Sequence, residues 1–330
     1  MTFSLPTKAE LESAATIVYA SLPPTPQYAW PLLCEALGTE VWLKHENHTP
    51  TGAFKVRGGV VYMHELLRRE PELAGVISAT RGNHGQSIAF AARPHGVKAT
   101  IVVPIGNSKE KNAAMRALGA ELIEFGTDFQ ESREYAIRLA EKQGLHMVPS
   151  LHADLVRGVA TYWMEFFNAQ PELDVIYVPI GQGSGICAAV AARNALGLST
   201  KIIGVVSSHA LAYKLSFDQG TIVEAPVSTL LADGMACRIP DASSMKVIAQ
   251  YVEQVVAVSD VEIAAAMKLI FLATHNLAEG AGAAALAAAM QNKAALAGLK
   301  IGLSLSGGNV DHDVYSQVLK NDNATHYATL

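Results

Sequence analysis

The chain of 330 residues is 50% hydrophobic and 17% charged, which excludes a disordered or fibrous polymer and leaves ample surface to bury in two lobes. A net charge of -5 without any Lys/Arg run excludes a nucleic-acid footprint, and no segment reaches bilayer-spanning length without a glycine, a charge or a turn. Cys34, Cys187 and Cys237 stand apart, outside any CxxC or Cys/His cluster, which speaks against a disulfide framework or structural zinc and suits the cytoplasm.

Met1-Thr2-Phe3-Ser4-Leu5-Pro6 has no basic run followed by an apolar one, so no secretory leader is expected. Thr7 with Glu10 forms a capping-box start to a helix running toward Ala20. Pro23, Pro24, Pro26 and Pro31 predict an extended segment. Residues 41–44 read as a strand and 46–52 as the loop that delivers Lys55, from which a helix runs toward Arg68.

Strands and helices then alternate in short units, the pattern of an α/β fold with parallel strands. Strand 75–78 turns through Arg81-Gly82-Asn83-His84-Gly85 into an alanine-rich helix ending near 94–96. Strands 99–103 and 121–124 flank a helix capped by Asn107 or Ser108 and reaching Leu118. Asp128 with Glu131 opens another helix, and 147–148 closes the set. A helix at 154–168 follows, then strand 175–178, the loop Gly181-Gln182-Gly183-Ser184-Gly185 and a helix over 186–196. Strands 201–206 and 255–258, a helix capped by Ser259 and Glu262 reaching about His275, an alanine helix after Glu279-Gly280 and a strand at 301–305 complete the order. Two lobes are expected: a large one of 1–74 with 151–330, and a small mobile one of 75–150 that closes over a ligand held between them.

Four stretches carry chemistry. Lys55, between Phe54 and Val56, is by itself more often a snorkelling stem with its ammonium in water. The alternative is a desolvated amine serving as nucleophile, base or Schiff-base partner. The loop from Gly181 to Gly185 lies between strand and helix, where three glycines let backbone amides approach a phosphate. It is no Walker loop, since no Gly-Lys-Ser/Thr follows. Nor is it a dinucleotide fingerprint, since Ile186 replaces the third glycine. Thr80, Arg81, Gly82, Asn83 and His84 open a helix, and their amides and polar side chains can hold a carboxylate or a ring oxygen. Ser306-Gly307-Gly308-Asn309 ends a strand and, alone, reads as a turn.

Taken in this order, the four stretches resemble the β-family, or fold-type II, of pyridoxal-phosphate enzymes, and within it the serine/threonine dehydratase and serine racemase branch. The resemblance runs from Trp42-Leu43-Lys44-His45-Glu46-Asn47 to Ser306-Gly307-Gly308-Asn309, and Thr51-Gly52-Ala53-Phe54-Lys55-Val56-Arg57-Gly58 is similar to the branch's Schiff-base motif. It implies a two-lobed, tryptophan synthase β-like α/β architecture of parallel-rich twisted sheets flanked by helices, with pyridoxal 5'-phosphate as cofactor. Lys55 would hold the cofactor as an imine and then serve as the base for the α-proton, with Phe54 beside the ring. Gly181, Gln182, Gly183, Ser184 and Gly185 would cradle the phosphate, Asn83 would bond the ring hydroxyl oxygen, and Ser306 would face the pyridine nitrogen. Thr80 and its neighbours Arg81, Gly82, Asn83 and His84 would bind the substrate.

The implied activity is α,β-elimination from a β-hydroxy-α-amino acid such as L-threonine or L-serine, giving a 2-keto acid and ammonia. Alternatives on the same scaffold are 3-hydroxyaspartate or phenylserine as substrate, racemisation, or another β-elimination or replacement. A non-catalytic small-molecule binder would account for the loops but not for Lys55. A cytoplasmic homodimer of the short, catabolic kind, without a regulatory domain, is also implied.

Two departures stand out. Arg81 occupies the place of the racemases' acid/base serine and cannot release a proton near neutral pH, so racemisation is not expected as the main activity. It either points outward to a surface acid or shapes the substrate pocket through a second carboxylate or by stacking. Val206 and Ala212 stand where branch members carry metal-binding carboxylates, so no metal is expected there.

Overall fold

The computed structural model describes residues 4–320; the residues Met1, Thr2 and Phe3 of the expected leader-free start lie outside them. The chain runs α1 (Lys8–Tyr19), β1 (Gln27–Ala29), α2 (Pro31–Leu37), β2 (Glu40–His45), α3 (Lys55–Arg69), β3 (Val76–Ala79), α4 (Asn83–Ala92), β4 (Ala99–Val103), α5 (Lys109–Ala117), β5 (Glu121–Glu124), α6 (Phe129–Gln143) and β6 (His146–Met147). It continues α7 (Ala153–Ala169), β7 (Val175–Pro179), α8 (Ser184–Ala195), β8 (Lys201–Ser207), α9 (Ala212–Gln219), α10 (Ala242–Tyr251), β9 (Gln254–Val258), α11 (Asp260–Thr274), α12 (Gly280–Gln291), β10 (Lys300–Leu305) and α13 (His312–Lys320).

Local chemistry accounts for the helix starts. Thr7 with Glu10 and Ser259 with Glu262 both form complete capping boxes. Ser108, not Asn107, caps α5, and Asp128 caps α6. Pro31 does not prolong an extended segment: it opens α2, where its missing N–H is one the first turn leaves unpaired anyway. The stretch before it forms β1, which pairs antiparallel with β2.

Two sheets result. The six-stranded sheet has the order β1-β2-β10-β7-β8-β9, and every pairing except β1 with β2 is parallel. The four-stranded sheet, β5-β4-β3-β6, is parallel throughout. Alternation splits the large sheet's residues between two cores: Val175 and Tyr177 pack on the side of α11 and α12, Ile176 and Val178 on the side of α7 and α8. Because β10 inserts between β2 and β7, the carboxyl ends of these three strands lie side by side. The segments leaving them, 46–54, 306–309 and 180–183, issue at one edge, where open α/β sheets gather ligands.

The helix that begins with Lys55 is anchored from behind. α3 crosses α7 at glycines, since a Cβ on Gly158 would lie 2.2 Å from the carbonyl oxygen of Arg57. Arg57 is fully buried, 2.7 Å from Glu46 and 2.6 Å from Glu165. Lys44 donates to Glu165 as well and to the carbonyl of Thr25 at 2.6 Å. Among the described residues no helix is long and apolar enough to cross a membrane.

Candidate active site

A cavity between the two sheets is lined by Phe54, Lys55, Thr80, Arg81, Gly82, Asn83 and His84, and by Gly181, Gln182, Gly183, Ser184, Gly185 and Ser306. All residues singled out from the sequence therefore converge. The loop before Lys55 is stitched to the end of β10: Ala53 bridges Gly307, Phe54 N donates to Ser306 O at 3.0 Å, and Gly308 N donates to Gly52 O at 2.9 Å. That stitching places Lys55 beside Ser306.

The Lys55 ammonium does not snorkel to water. Nζ donates to Ser184 Oγ at 3.0 Å and lies 5.1 Å from the centre of the Phe54 ring. Burial pushes its pKa down to about 8, against the pull of Glu279. A lysine of this kind is a free amine in useful proportion near neutral pH.

In front of it lies the start of α8. Gly183 is the N-cap with φ of +95°, a left-handed conformation, and offers no side chain to the first turn. The first N–H groups of α8 therefore lack a side-chain cap and carry the positive end of the helix dipole, an anion cradle in front of the amine. The helix begins at Ser184, two residues earlier than the sequence pattern suggests.

On the opposite wall, Thr80 Oγ1 accepts from Gly82 N at 3.0 Å and shapes the loop. Asn83, first residue of α4, donates through Nδ2 to Glu279 Oε1 and accepts at Oδ1 from Asn309 Nδ2 at 2.8 Å. Burial, with Lys55 nearby, pushes the His84 pKa down to about 3, so this ring is neutral and is no cationic partner for a carboxylate. Its buried Nε2 has no hydrogen-bond partner among the described residues. Arg81 does pair with an acid, but not on the outer surface. Its Nε lies 3.1 Å from Asp233 Oδ1, and both residues line the cavity.

Sequence reasoning missed Lys111, whose Nζ lies 3.1 Å from Glu279 Oε2 and 3.8 Å from Asp233 Oδ2. Burial alone would lower its pKa, but Glu279 and Asp233 outweigh it and raise it. The signal was a lysine on the buried stripe of α5, beside Asn112 and Met115. Its partners Asp233 and Glu279 have no role that the sequence alone assigns. Among the described residues no group of three or more His, Cys, Asp or Glu is placed to hold a metal ion.

The donor set fits pyridoxal phosphate. A depressed lysine amine suits its aldehyde, an uncapped helix start suits its phosphate, and the neutral hydroxyl of Ser306 and amide of Asn83 suit its ring atoms.

Residues 19–307 match the family described as pyridoxal-phosphate dependent enzyme. The chain is 34% identical to the L-threonine ammonia-lyase of Thermotoga maritima, over 87% of this chain and 72% of that one. It is 30% identical to the L-threo-3-hydroxyaspartate ammonia-lyase of Saccharomyces cerevisiae, over 96% and 97% of the two chains. Among solved structures, maize serine racemase superposes with a TM-score of 0.88 at 26% identity, covering 95% of this chain and 97% of that one.

Proposed function

The chain belongs to the pyridoxal-phosphate dependent enzymes, and from that premise we propose that it is an ammonia-lyase converting a β-hydroxy-α-amino acid, such as L-threonine or L-serine, to a 2-keto acid and ammonia. The observation that carries this reading is the half-buried Lys55 amine, donating to Ser184 Oγ at 3.0 Å and facing the uncapped start of α8. Lys55 would hold the cofactor, the 181–185 loop its phosphate, Asn83 its ring oxygen and Ser306 its ring nitrogen. When bound, the cofactor supplies the sink for the electrons left behind as the substrate's α-proton departs.

The chain's own groups do the rest. Lys55 Nζ, once free, takes the α-proton. A hydroxyl rather than a carboxylate at position 306 would leave the ring nitrogen without an acidic partner, a milder setting that suits loss of the β-hydroxyl. Thr80 and the amides that follow it orient the substrate carboxylate at the start of α4. The small lobe of 75–150, closing on the large lobe of 1–74 with 151–330, excludes water.

Arg81 favours a second reading of the substrate, 3-hydroxyaspartate, because this cation stands on the cavity wall where a distal carboxylate can displace Asp233. The yeast relative that matches over nearly its whole length acts on that class. A cytoplasmic homodimer belongs to the same proposal, on the strength of the family resemblance. The deciding experiment reconstitutes the protein with pyridoxal phosphate and assays keto acid and ammonia from serine, threonine, 3-hydroxyaspartate and phenylserine. A folded, reconstituted sample without a visible cofactor band, or with racemised amino acid as its only product, would sink the proposal.

A further inference from the structure

α5 lies on the four-stranded sheet, yet one of its lysines reaches into the cleft and touches groups carried by the other sheet. The stem of Lys111 runs across the loop after β3, so closely that a Cβ on Gly82 would come within 2.5 Å of its Cδ. The side chain is only 9% exposed, and its ammonium meets Glu279 Oε2 at 3.1 Å and Asp233 Oδ2 at 3.8 Å. The other oxygen of Glu279 accepts from Asn83 Nδ2. Asn83 Oδ1 accepts from Asn309 Nδ2, which also donates to Thr51 O at 2.8 Å.

A side-chain amide can turn over and exchange its donor for its acceptor, so something must decide which end of Asn83 faces which partner. A carboxylate beside a cation accepts through both oxygens, and the ion pair fixes where those oxygens point. We propose that Lys111 is a positioning residue for the cofactor ring: by pairing with Glu279 Oε2 it holds that carboxylate in place with Oε1 turned to Asn83, which fixes Asn83 Nδ2 as donor and leaves its second hydrogen for the ring oxygen. The role rests on Asn83 being the ring-oxygen donor proposed above. Because the lysine and the loop it crosses come from the four-stranded side and Glu279 from the other, the ring contact is complete only when the cleft is closed.

Lys111→Met keeps the stem over Gly82 and removes the charge. The measurements are the affinity of the apoprotein for pyridoxal phosphate, by equilibrium titration, and the visible absorbance of the loaded protein, neither of which needs turnover. Lys111→Met is expected to weaken cofactor binding by about tenfold or more and to shift the band. Adding Glu279→Gln should restore affinity to within about twofold of Glu279→Gln alone, since a neutral amide oxygen accepts from Asn83 without a cation. Lost packing of the stem would be indifferent to residue 279, so an equal cost of Lys111→Met with and without Glu279→Gln overturns the role, as does unchanged affinity in the single variant. If Lys111→Met does not fold, Lys111→Gln takes its place in the same cycle. Asn83→Ala is measured separately: a band that it leaves unmoved removes Asn83 as the ring donor, whereas a cycle without coupling removes Lys111 even if Asn83→Ala moves the band.

Discussion

Lys55 can capture an aldehyde only as the neutral amine, and its pKa, lowered to about 8 by burial, sets where that form becomes abundant. Below that value the group is protonated and inert; above it the neutral fraction saturates. Capture of pyridoxal phosphate by the apoprotein should therefore quicken as pH rises from 6 toward about 8 and level off beyond, as stopped-flow absorbance would record. A rise that continues toward the pH of an ordinary lysine would contradict the burial argument. Lys55→Ala should abolish the visible band and lower elimination by about 10²–10⁴-fold, the usual weight of a positioned proton acceptor. At Arg81 the same chemical logic concerns selectivity. Arg81→Ala should lower kcat/KM for 3-hydroxyaspartate by about tenfold to a hundredfold relative to serine, the worth of a charge-assisted hydrogen bond. An unchanged ranking of the four substrates would leave threonine-type substrates as the better reading. Lys55, Asn83 and Ser306 were singled out in the sequence only by taking their stretches together, since alone Lys55 reads as a snorkelling stem and Ser306 as part of a turn. Lys111 was not, and Asp233 carried no assigned role, because their meaning lies in a contact between segments more than a hundred residues apart in the sequence.

At the scale of elements, caps and prolines decided what could be read. Helices opened by a hydroxyl or carboxylate cap, α1, α5, α6 and α11, begin where their caps stand. α2 was hidden because Pro31 reads equally as a breaker or as a first helical residue, and only the packing of Leu33 and Leu37 decides. α10 escaped notice although Asp241 caps it through the amides of Ser243 and Ser244. The element that matters most to the site is α3, whose first turn depends on a buried cation that periodicity cannot reveal. Removing Arg57 leaves Glu46 wholly buried and Glu165 nearly so, with Lys44, among the described residues, the one paired cation left beside them. Arg57→Met should cost about 3–5 kcal/mol, as for other broken buried pairs, and lower Tm by on the order of 10 °C. Calorimetry of the apoprotein would show it; a Tm within a degree of the parent would mean that glycine packing between α3 and α7 suffices.

For the whole molecule, the alternation of strands and helices pointed to parallel sheets, but not to the insertion of the last strand, β10, between β2 and β7. Parallel strands buried on both faces carry the same apolar runs whatever their neighbour, so order is settled only by how the connections pack. That order brings Asp311, six residues beyond β10, to the far rim of the cleft. There its carboxylate accepts from Ser108 Oγ and from the backbone N–H groups of Lys109 at 3.2 Å and Glu110 at 3.3 Å, while Glu110 in turn meets His312. A negative group from one side thus caps the positive end of α5 on the other, the same helix that carries Lys111 into the cleft. These contacts are partly exposed, and the attraction of the carboxylate to the helix dipole is screened by salt, so they hold weakly and yield to ionic strength. Asp311→Ala should leave the global Tm nearly unchanged and yet speed hydrogen exchange at the amides of α5, with kcat/KM falling as the cleft opens more often. Raising ionic strength should push the parent protein toward the same exchange pattern and have little further effect on the variant. If exchange at α5 is equal in both at low salt, the contact to Asp311 is incidental, and the proposed closure would depend on the Lys111 and Arg81 pairs inside the cleft.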